Sequence, residues 1–338
     1  MSQPIVTGIM SYGMSGKVFH APFIHSNSHF QLRGVTERTT KKVKEVYPDV
    51  ISYDTIEDLL ADPKIELAII NTPNNTHYEF AKKALEAGKH ILVEKPFAAS
   101  SAQAMELFEL GRSKGLKVLV YQNRRWDSDF NSVKSVIESG KLGTLIEIHF
   151  RYDRYRSEIS KKSFKELPLP ASGLTYDLGP HLVDQFISLL GKPESFHKST
   201  GIFRKDSQVD DFVNFHLKYP GNLNVFGTAS LLTAAPLAAF VIHGTKGTYI
   251  KSRSDVQEDQ LLVGMSPRAA DYGIEKEGAE GQLTTINEAG KAIVEYIPSL
   301  KGNYNRLFDA IYNTIRKGAP YPITENDIVL QMQILESK

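Results

Sequence analysis

The sequence predicts an α/β protein. Its first part reads as a doubly wound parallel sheet and its second as an α+β half on a mostly antiparallel open sheet. Three observations carry this. Short apolar runs alternate with helix-patterned segments throughout residues 4–122. From Leu145 onward the pattern becomes strand-like, with apolar and polar residues alternating and hairpin turns between runs. At 338 residues the chain exceeds the usual single-domain size. Asn123-Arg124-Arg125-Trp126-Asp127 breaks the first pattern, so the expected domains are residues 1–122 and 123–338.

Composition narrows the function classes. The chain is 41% hydrophobic, 23% charged and 10% aromatic, which argues against disorder. Its formal charge is +1, from 40 basic and 39 acidic residues, so no global field favours nucleic acid or anionic lipid. Cysteine is absent, which excludes disulfides, thiolate nucleophiles and sulfur-based zinc sites and fits a reducing cytoplasm. Met1-Ser2-Gln3-Pro4 has no basic n-region, so no signal peptide is expected. Leu231 to Ile242, the longest apolar stretch, is interrupted by Thr233 and Pro236 and is too short to span a bilayer. A soluble, cytoplasmic protein is expected, with neither membrane nor nucleic acid as partner.

In the first part, Ile5 to Met10 reads as a buried strand leading into Ser11-Tyr12-Gly13-Met14-Ser15-Gly16 and a helix. This is the context of a dinucleotide fingerprint, with Ser11 where the first glycine would stand. Gly13 would let backbone amides approach a pyrophosphate, and Gly16 would let helix and strand pack closely. The same loop also reads as an ordinary tight turn. Phe30 to Thr36 is the second strand. It ends at Glu37, which follows Gly16 by 21 residues, near the offset of an acid that binds the adenosine ribose. A carboxylate there favours NAD and repels a 2′-phosphate; Arg38 beside it keeps NADP open. Two solvated charges at a strand end are the plainer alternative. Asp54-Thr55-Ile56-Glu57 opens a helix, and Leu67 to Ile70 is a compact strand emptying into Asn71-Thr72-Pro73-Asn74-Asn75-Thr76-His77. Thr76 with Glu79, and Ser100 with Gln103, have capping-box spacing, and Gly88 has the place of a helix C′ residue. The run His90-Ile91-Leu92-Val93-Glu94-Lys95-Pro96-Phe97 has the look of a further buried strand that ends in a carboxylate, an ammonium and a proline, a reactive-looking cation at a strand's carboxyl end. Lys117 to Tyr121 is the sixth.

In the second part, strands are expected near 145–156, 195–204, 211–219, 223–232, 238–243 and 248–251, with Gly244-Thr245-Lys246-Gly247 a hairpin turn. Residues 252–290 read as long polar loops, and 303–317 and 325–338 as helices. In Ser172–Gln185, the pair Asp177 and His181 is four residues apart, so on one helix start the two share a face. A carboxylate beside an imidazole orients it and tunes it as a proton shuttle. A capping Asp177 and a surface His181 are the bland alternative. Asp184 adds an i, i+3 partner to His181, but one such pair gives no metal cluster, and no metal is expected.

These segments together resemble the glucose–fructose oxidoreductase / inositol dehydrogenase / MocA (Gfo/Idh/MocA) family over essentially the whole chain. Gly13-Met14-Ser15-Gly16-Lys17-Val18-Phe19-His20-Ala21-Pro22 is similar to its G-x-x-G-x-x-F-H-x-P opening. Thr72-Pro73-Asn74-Asn75-Thr76-His77 matches T-P-x-x-x-H, and Glu94-Lys95-Pro96 matches E-K-P. Asn123–Asp127 and Asp177–Asp184 complete the set. The nearest branch is that of NADP-using scyllo-inositol dehydrogenases.

The resemblance implies a Rossmann domain binding NAD or NADP and a C-terminal domain that binds substrate and pairs subunits through its sheet into a homodimer or homotetramer. It implies a cofactor site made by Gly13, Met14, Ser15, Gly16, Glu37, Arg38, Thr72, Pro73, Asn74, His77, Glu94, Lys95, Asn123 and Arg125. Lys95 would lie beside the nicotinamide ribose, with Asp177 and His181 completing a catalytic triad, and the Lys95–Pro96 peptide would be cis. The expected chemistry is hydride transfer between nicotinamide and a carbinol or carbonyl carbon of a small polyhydroxylated substrate. Tyr152, Arg154, Tyr176 and His181 are its candidate contacts. Glu37 tilts the expected cofactor toward NAD. A non-catalytic dinucleotide-binding sensor of the same fold is the competing class, and retention of Lys95, Asp177 and His181 argues against it.

Overall fold

The apolar runs of the first part are buried parallel strands. The computed structural model describes residues 3–160 and 165–338, so Met1 and Ser2 of the N-terminal reading lie outside the described residues. The chain divides into two compact units: residues 1–122, 258–272 and 304–328 in the first, residues 123–257, 273–303 and 329–338 in the second.

The first unit holds β1 (Ile5–Ile9), β2 (Phe30–Thr36), β3 (Ile51–Tyr53), β4 (Leu67–Ile70), β5 (His90–Glu94) and β6 (Val118–Tyr121). They form one parallel sheet in the order β3-β2-β1-β4-β5-β6. Every side chain of β4 is buried, as both faces are covered in a doubly wound sheet. The strand order reverses between β1 and β4, and at such a switch point the loops beyond the strands open a crevice for a ligand.

Helices α1 (Ala21–Ser26), α2 (Val43–Val46), α3 (Ile56–Ala61), α4 (His77–Glu86) and α5 (Ser101–Ser113) connect the strands. Thr55 closes a full capping box with Asp58 at α3. The box expected at Thr76 does not form. A short 3-10 turn, Asn74–Thr76, runs directly into α4, so the Thr76 hydroxyl turns back to Pro73 O at 2.6 Å and Thr72 Oγ1 at 2.7 Å. At α5, Ser100 accepts from Gln103 N at 3.2 Å, while Gln103 Oε1 accepts from Ala99 N at 3.0 Å, one residue earlier than a box requires.

The second unit carries an eight-stranded sheet in the order β14-β13-β12-β11-β7-β10-β9-β8. Its strands are β7 (Leu145–Asp153), β8 (Ser195–Gly201), β9 (Phe212–Tyr219), β10 (Leu223–Ser230), β11 (Phe240–Gly244), β12 (Gly247–Lys251), β13 (Gly281–Ile286) and β14 (Ala292–Ile297). All neighbours are antiparallel except β7 and β10. Helices α6 (Ser128–Glu138), α7 (Leu174–Asp177) and α8 (Gly179–Leu190) belong to this unit. Phe150 is the hub of its core, with ring centroids 5.0 Å from Phe186, 4.8 Å from Phe240 and 6.4 Å from Phe130. Gly227 of β10 lets α8 approach, since a Cβ there would stand 2.7 Å from the Phe186 ring.

Two expectations are corrected. Residues 252–290 are not all loop: they contain α9 (Val256–Leu262) and β13, which pairs with β12 and β14. The strand hides in the sequence because glycine opens it, and only Gly281 fits beneath the Tyr249 hydroxyl, 1.9 Å from where a Cβ would sit. Nor do residues 123–338 form one domain, because α10 (Asn305–Lys317) belongs to the first unit. Its Phe308 stacks on Phe23 at 5.0 Å and meets Phe30 and Tyr121 edge-on, burying the amphipathic face against the parallel-sheet unit. The last helix, α11 (Glu325–Glu336), lies within the stretch expected to be helical.

A buried ion pair ties the outer strands to α6. Lys251 Nζ donates to Glu275 Oε2 at 2.8 Å, Ala279 O at 2.7 Å and Ser299 Oγ at 2.8 Å, and Ser128 donates to Glu275 Oε1 at 2.5 Å. Removing one partner of a buried pair strands the other charge. Lys251→Met is expected to lower stability by about 3–5 kcal/mol in denaturant unfolding, and a loss under about 1 kcal/mol would show that the pair is not an essential tie.

Candidate active site

The glycine loop is built by sterics and by one clamp. A Cβ on Gly16 would stand 2.2 Å from Ser11 O, so only glycine permits this turn. The Asn71 side chain grips the same residue from β4, accepting from Ser11 N at 2.9 Å and donating to Ser11 O at 2.8 Å. Gly16–His20 then forms a single π-helical turn leading into α1.

This turn carries His20 into the interior, fully buried and tilted against the Tyr121 ring at 4.5 Å. Its Nε2 lies 2.9 Å from Glu94 Oε1, and Ser15 Oγ donates to the same oxygen at 2.8 Å. Burial by itself would raise the Glu94 pKa. The His20 bond and charge, the Ser15 hydroxyl and the Lys95 cation outweigh it, and the carboxyl is held below its usual range. Glu94 therefore fastens the end of β5 to the glycine loop as a carboxylate. On its other side the Lys95–Pro96 peptide is cis. His77, 1% exposed, sits between Pro96 O at 2.7 Å and Thr72 O at 2.9 Å, and burial depresses its pKa against the pull of those two carbonyls. The E-K-P segment, the glycine loop and the Asn/Thr loop are thus one bonded frame.

A cavity of about 720 Å³ opens along this frame, lined in part by Gly13, Glu37, Arg38, Thr72 and Pro73. Ser15, Gly16, His77 and Glu94 form its supports. Met14 is 53% exposed and, like Asn74, does not line it. Glu37 lines the cavity, but its carboxylate is engaged. Oε1 accepts from Lys42 N at 2.8 Å, and Oε2 accepts from Ser52 Oγ at 2.8 Å and Val43 N at 3.3 Å. It holds the start of α2 onto β3. Arg38 is exposed at the cavity, with Lys42 also lining it.

In the second unit Asp177 ends α7 and His181 sits in the first turn of α8, with a break at Leu178. Asp177 and His181 thus stand on two successive helices and not on the expected shared face of one. Asp210 caps α7, accepting from Thr175 N at 2.6 Å and Thr175 Oγ1 at 2.8 Å. Gly173, at φ +83°, leaves it room, since a Cβ would stand 2.0 Å from Asp210 Oδ1. The Asp177 carboxylate is partly exposed, with Lys165 Nζ at 3.6 Å. His181 is buried, its ring 6.0 Å from Tyr152. Tyr176 is half-buried, its phenol pushed up to about 12 by burial and by the charges of Glu336 and Asp210. Asp184 is gripped by Arg125 through Nε at 2.9 Å and Nη2 at 2.8 Å, which fixes the turn Asn123–Trp126 against α8. Asn123 is buried on that turn.

Asn71 and His20 were not singled out from the sequence. Both stood inside quoted motifs, but their donor and acceptor geometry belongs to the folded loops.

The chain matches the description "Oxidoreductase family, NAD-binding Rossmann fold" over residues 5–122 and the "GFO/IDH/MocA C-terminal domain" over residues 130–250. It belongs to the Gfo/Idh/MocA oxidoreductase family. Among its relatives are an oxidoreductase of Schizosaccharomyces pombe, 37% identical over 99% of this chain and 96% of the relative. Another is scyllo-inositol 2-dehydrogenase (NADP(+)) IolW of Bacillus subtilis, 34% identical over 98% of this chain and 92% of the relative. The crystal structure of an oxidoreductase from Bacteroides fragilis is similar with a TM-score of 0.88 at 41% identity, covering 98% of this chain and 96% of that one. This Gfo/Idh/MocA chain is therefore an oxidoreductase with a nicotinamide-cofactor domain. No helix among the described residues is long and apolar enough to cross a membrane.

The collision at Gly16 gives a direct test. Gly16→Ala is expected to weaken NAD(P)H binding by about tenfold or more, read by fluorescence titration, because the loop must open to admit the methyl group. Unchanged affinity would show that the loop does not carry the cofactor.

Proposed function

We propose that this oxidoreductase transfers a hydride between a nicotinamide cofactor and a carbinol or carbonyl carbon of a sugar, inositol or related polyol. The observation that carries the reading is the Ser15–Glu94 bond of 2.8 Å, which fastens the residue preceding Lys95 to the glycine loop. The loop fits the cofactor's pyrophosphate: Gly16 tolerates no Cβ, and the adjoining cavity measures about 720 Å³. The scyllo-inositol name of IolW supports a polyol substrate.

When bound, the nicotinamide supplies or receives the hydride. The protein's part is to hold the substrate oxygen and move its proton. Lys95 serves as the cation that hydrogen-bonds that oxygen and stabilises negative charge developing on it. His181 serves as proton donor or acceptor, with Asp177 as its tuning carboxylate. Glu94 and His77 position the Lys95–Pro96 segment and touch neither substrate nor proton.

Lys95→Ala is expected to lower kcat on a polyol and sugar panel by about 100- to 1,000-fold, while cofactor titration still saturates. Turnover within about threefold of the unsubstituted protein would remove Lys95 from the chemistry.

For the cofactor, the engaged Glu37 carboxylate supports use of NADP, because a carboxylate with three protein donors is poorly placed to select a ribose hydroxyl. Arg38 then serves a 2′-phosphate. Arg38→Ala is expected to weaken NADPH about tenfold more than NADH, the worth of one charge-assisted hydrogen bond. Equal weakening of both, or tighter NADH binding before substitution, would restore the reading that favours NAD.

A further inference from the structure

At one end of the eight-stranded sheet lies a second cavity, of about 440 Å³. Arg151, Tyr152, Asp153, Arg154, Arg253 and Asp255 bring its charges and its ring. The carboxylates are already committed. Arg151 holds Asp153 in a two-pronged bond, Nε to Oδ2 at 2.8 Å and Nη2 to Oδ1 at 3.2 Å. Asp255 accepts from Arg124 Nη1, and the Coulombic pull of Arg124, Arg253 and Arg154 outweighs burial in keeping its pKa low. Arg253 has Asp129 within ion-pair reach, which leaves Arg154 as the lining guanidinium without an ion pair among the described residues.

Arg253 is the inner one. It lies 3.5 Å over the Tyr152 ring and 4.6 Å from Phe240, donates from Nη2 to Arg151 O at 3.1 Å, and stands 3.9 Å from Asp129. Its Nε is buried without a hydrogen-bond partner among the described residues, as is the Tyr152 hydroxyl. Arg154 is the outer one. Its backbone continues the ladder, donating to Ser230 O at 2.9 Å and accepting from Thr233 N at 3.0 Å. Its half-buried guanidinium makes no hydrogen bond or ion pair among the described residues. Residues two apart on an extended chain project to one side, so Arg154 shares its side of β7 with Tyr152. Tyr152 in turn is the ring 6.0 Å from His181.

We propose that Arg154, backed by Arg253, binds an oxyanion of the substrate, so that the substrate is a small polyhydroxylated acid or phosphate ester and not a neutral polyol. The proposal rests on the reading of His181 as the residue that moves the proton. A guanidinium presents paired N–H donors that match the two oxygens of a carboxylate or phosphate. A neutral polyol leaves that fork answered only by water. Tyr152 links the two ends, since it packs against both His181 and Arg253.

The experiment compares matched substrates in steady-state kinetics: sorbitol, gluconate and sorbitol phosphate, with myo-inositol, glucuronate and an inositol phosphate as a second series. The expected result is that one acidic class exceeds its neutral counterpart in kcat/KM by about tenfold or more, chiefly through KM. Which class does so distinguishes carboxylate from phosphate. Arg154→Met should bring the acid-to-neutral ratio close to one, and Arg154→Lys should restore it only in part. Equal use of acidic and neutral substrates, or a ratio that survives Arg154→Met, overturns the proposal. If nothing in the panel is turned over, calorimetric titration with gluconate and sorbitol phosphate decides. Binding that Arg154→Met abolishes upholds the oxyanion site while sinking the polyol reading, and no binding overturns the site as well.

Discussion

A carboxylate buried at the end of a parallel strand is tolerated only when its charge is answered, and Glu94 is answered by Ser15, His20 and Lys95. Much of the first unit's site hangs on this interaction. The Ser15 bond reaches into the glycine loop, and the His20 bond depends on the π-helical turn that carries the imidazole inward. Through the adjoining peptide, His77 extends the same frame to the Asn/Thr loop. Three loops that are far apart in sequence are thereby held in one arrangement beside Lys95.

The second unit meets the same problem differently. It gathers charges into shared networks, with Arg125 on Asp184, Arg124 on Asp127 and Asp255, and Lys251 on Glu275. Most of these groups are buried, so each pair must be geometrically complete. At the sheet's end the Arg154 side chain makes no hydrogen bond or ion pair, and Arg253 Nε no hydrogen bond, among the described residues. The one half-buried guanidinium left without an ion pair at this cavity, among the described residues, is the feature on which the oxyanion proposal rests.

Legibility from the sequence followed the range of the interaction. The strands of the first unit were plain because fully buried strands are continuous apolar runs, as in Leu67–Ile70 and Ile91–Val93. Strand β13 was not, because its opening glycine answers to Tyr249, a residue on a neighbouring strand. The capping box at Thr76 failed for a local reason: the preceding 3-10 turn uses the hydroxyl first. Glu37 had the expected place, yet its partners, Lys42, Val43 and Ser52, come from α2 and β3. Position along the chain could name the acid but not what it binds.

For Lys95, Asp177 and His181 the sequence by itself determined the residue types, their order and the family they belong to, because short motifs record chemistry directly. It also determined that glycine stands at Gly16, where backbone must pass within a methyl group's reach. Only the tertiary structure decided which charges are spent and which remain available. That distinction depends on distances between side chains brought together from separate elements, as when Asp255 takes up Arg124 and Arg154 is left facing a cavity.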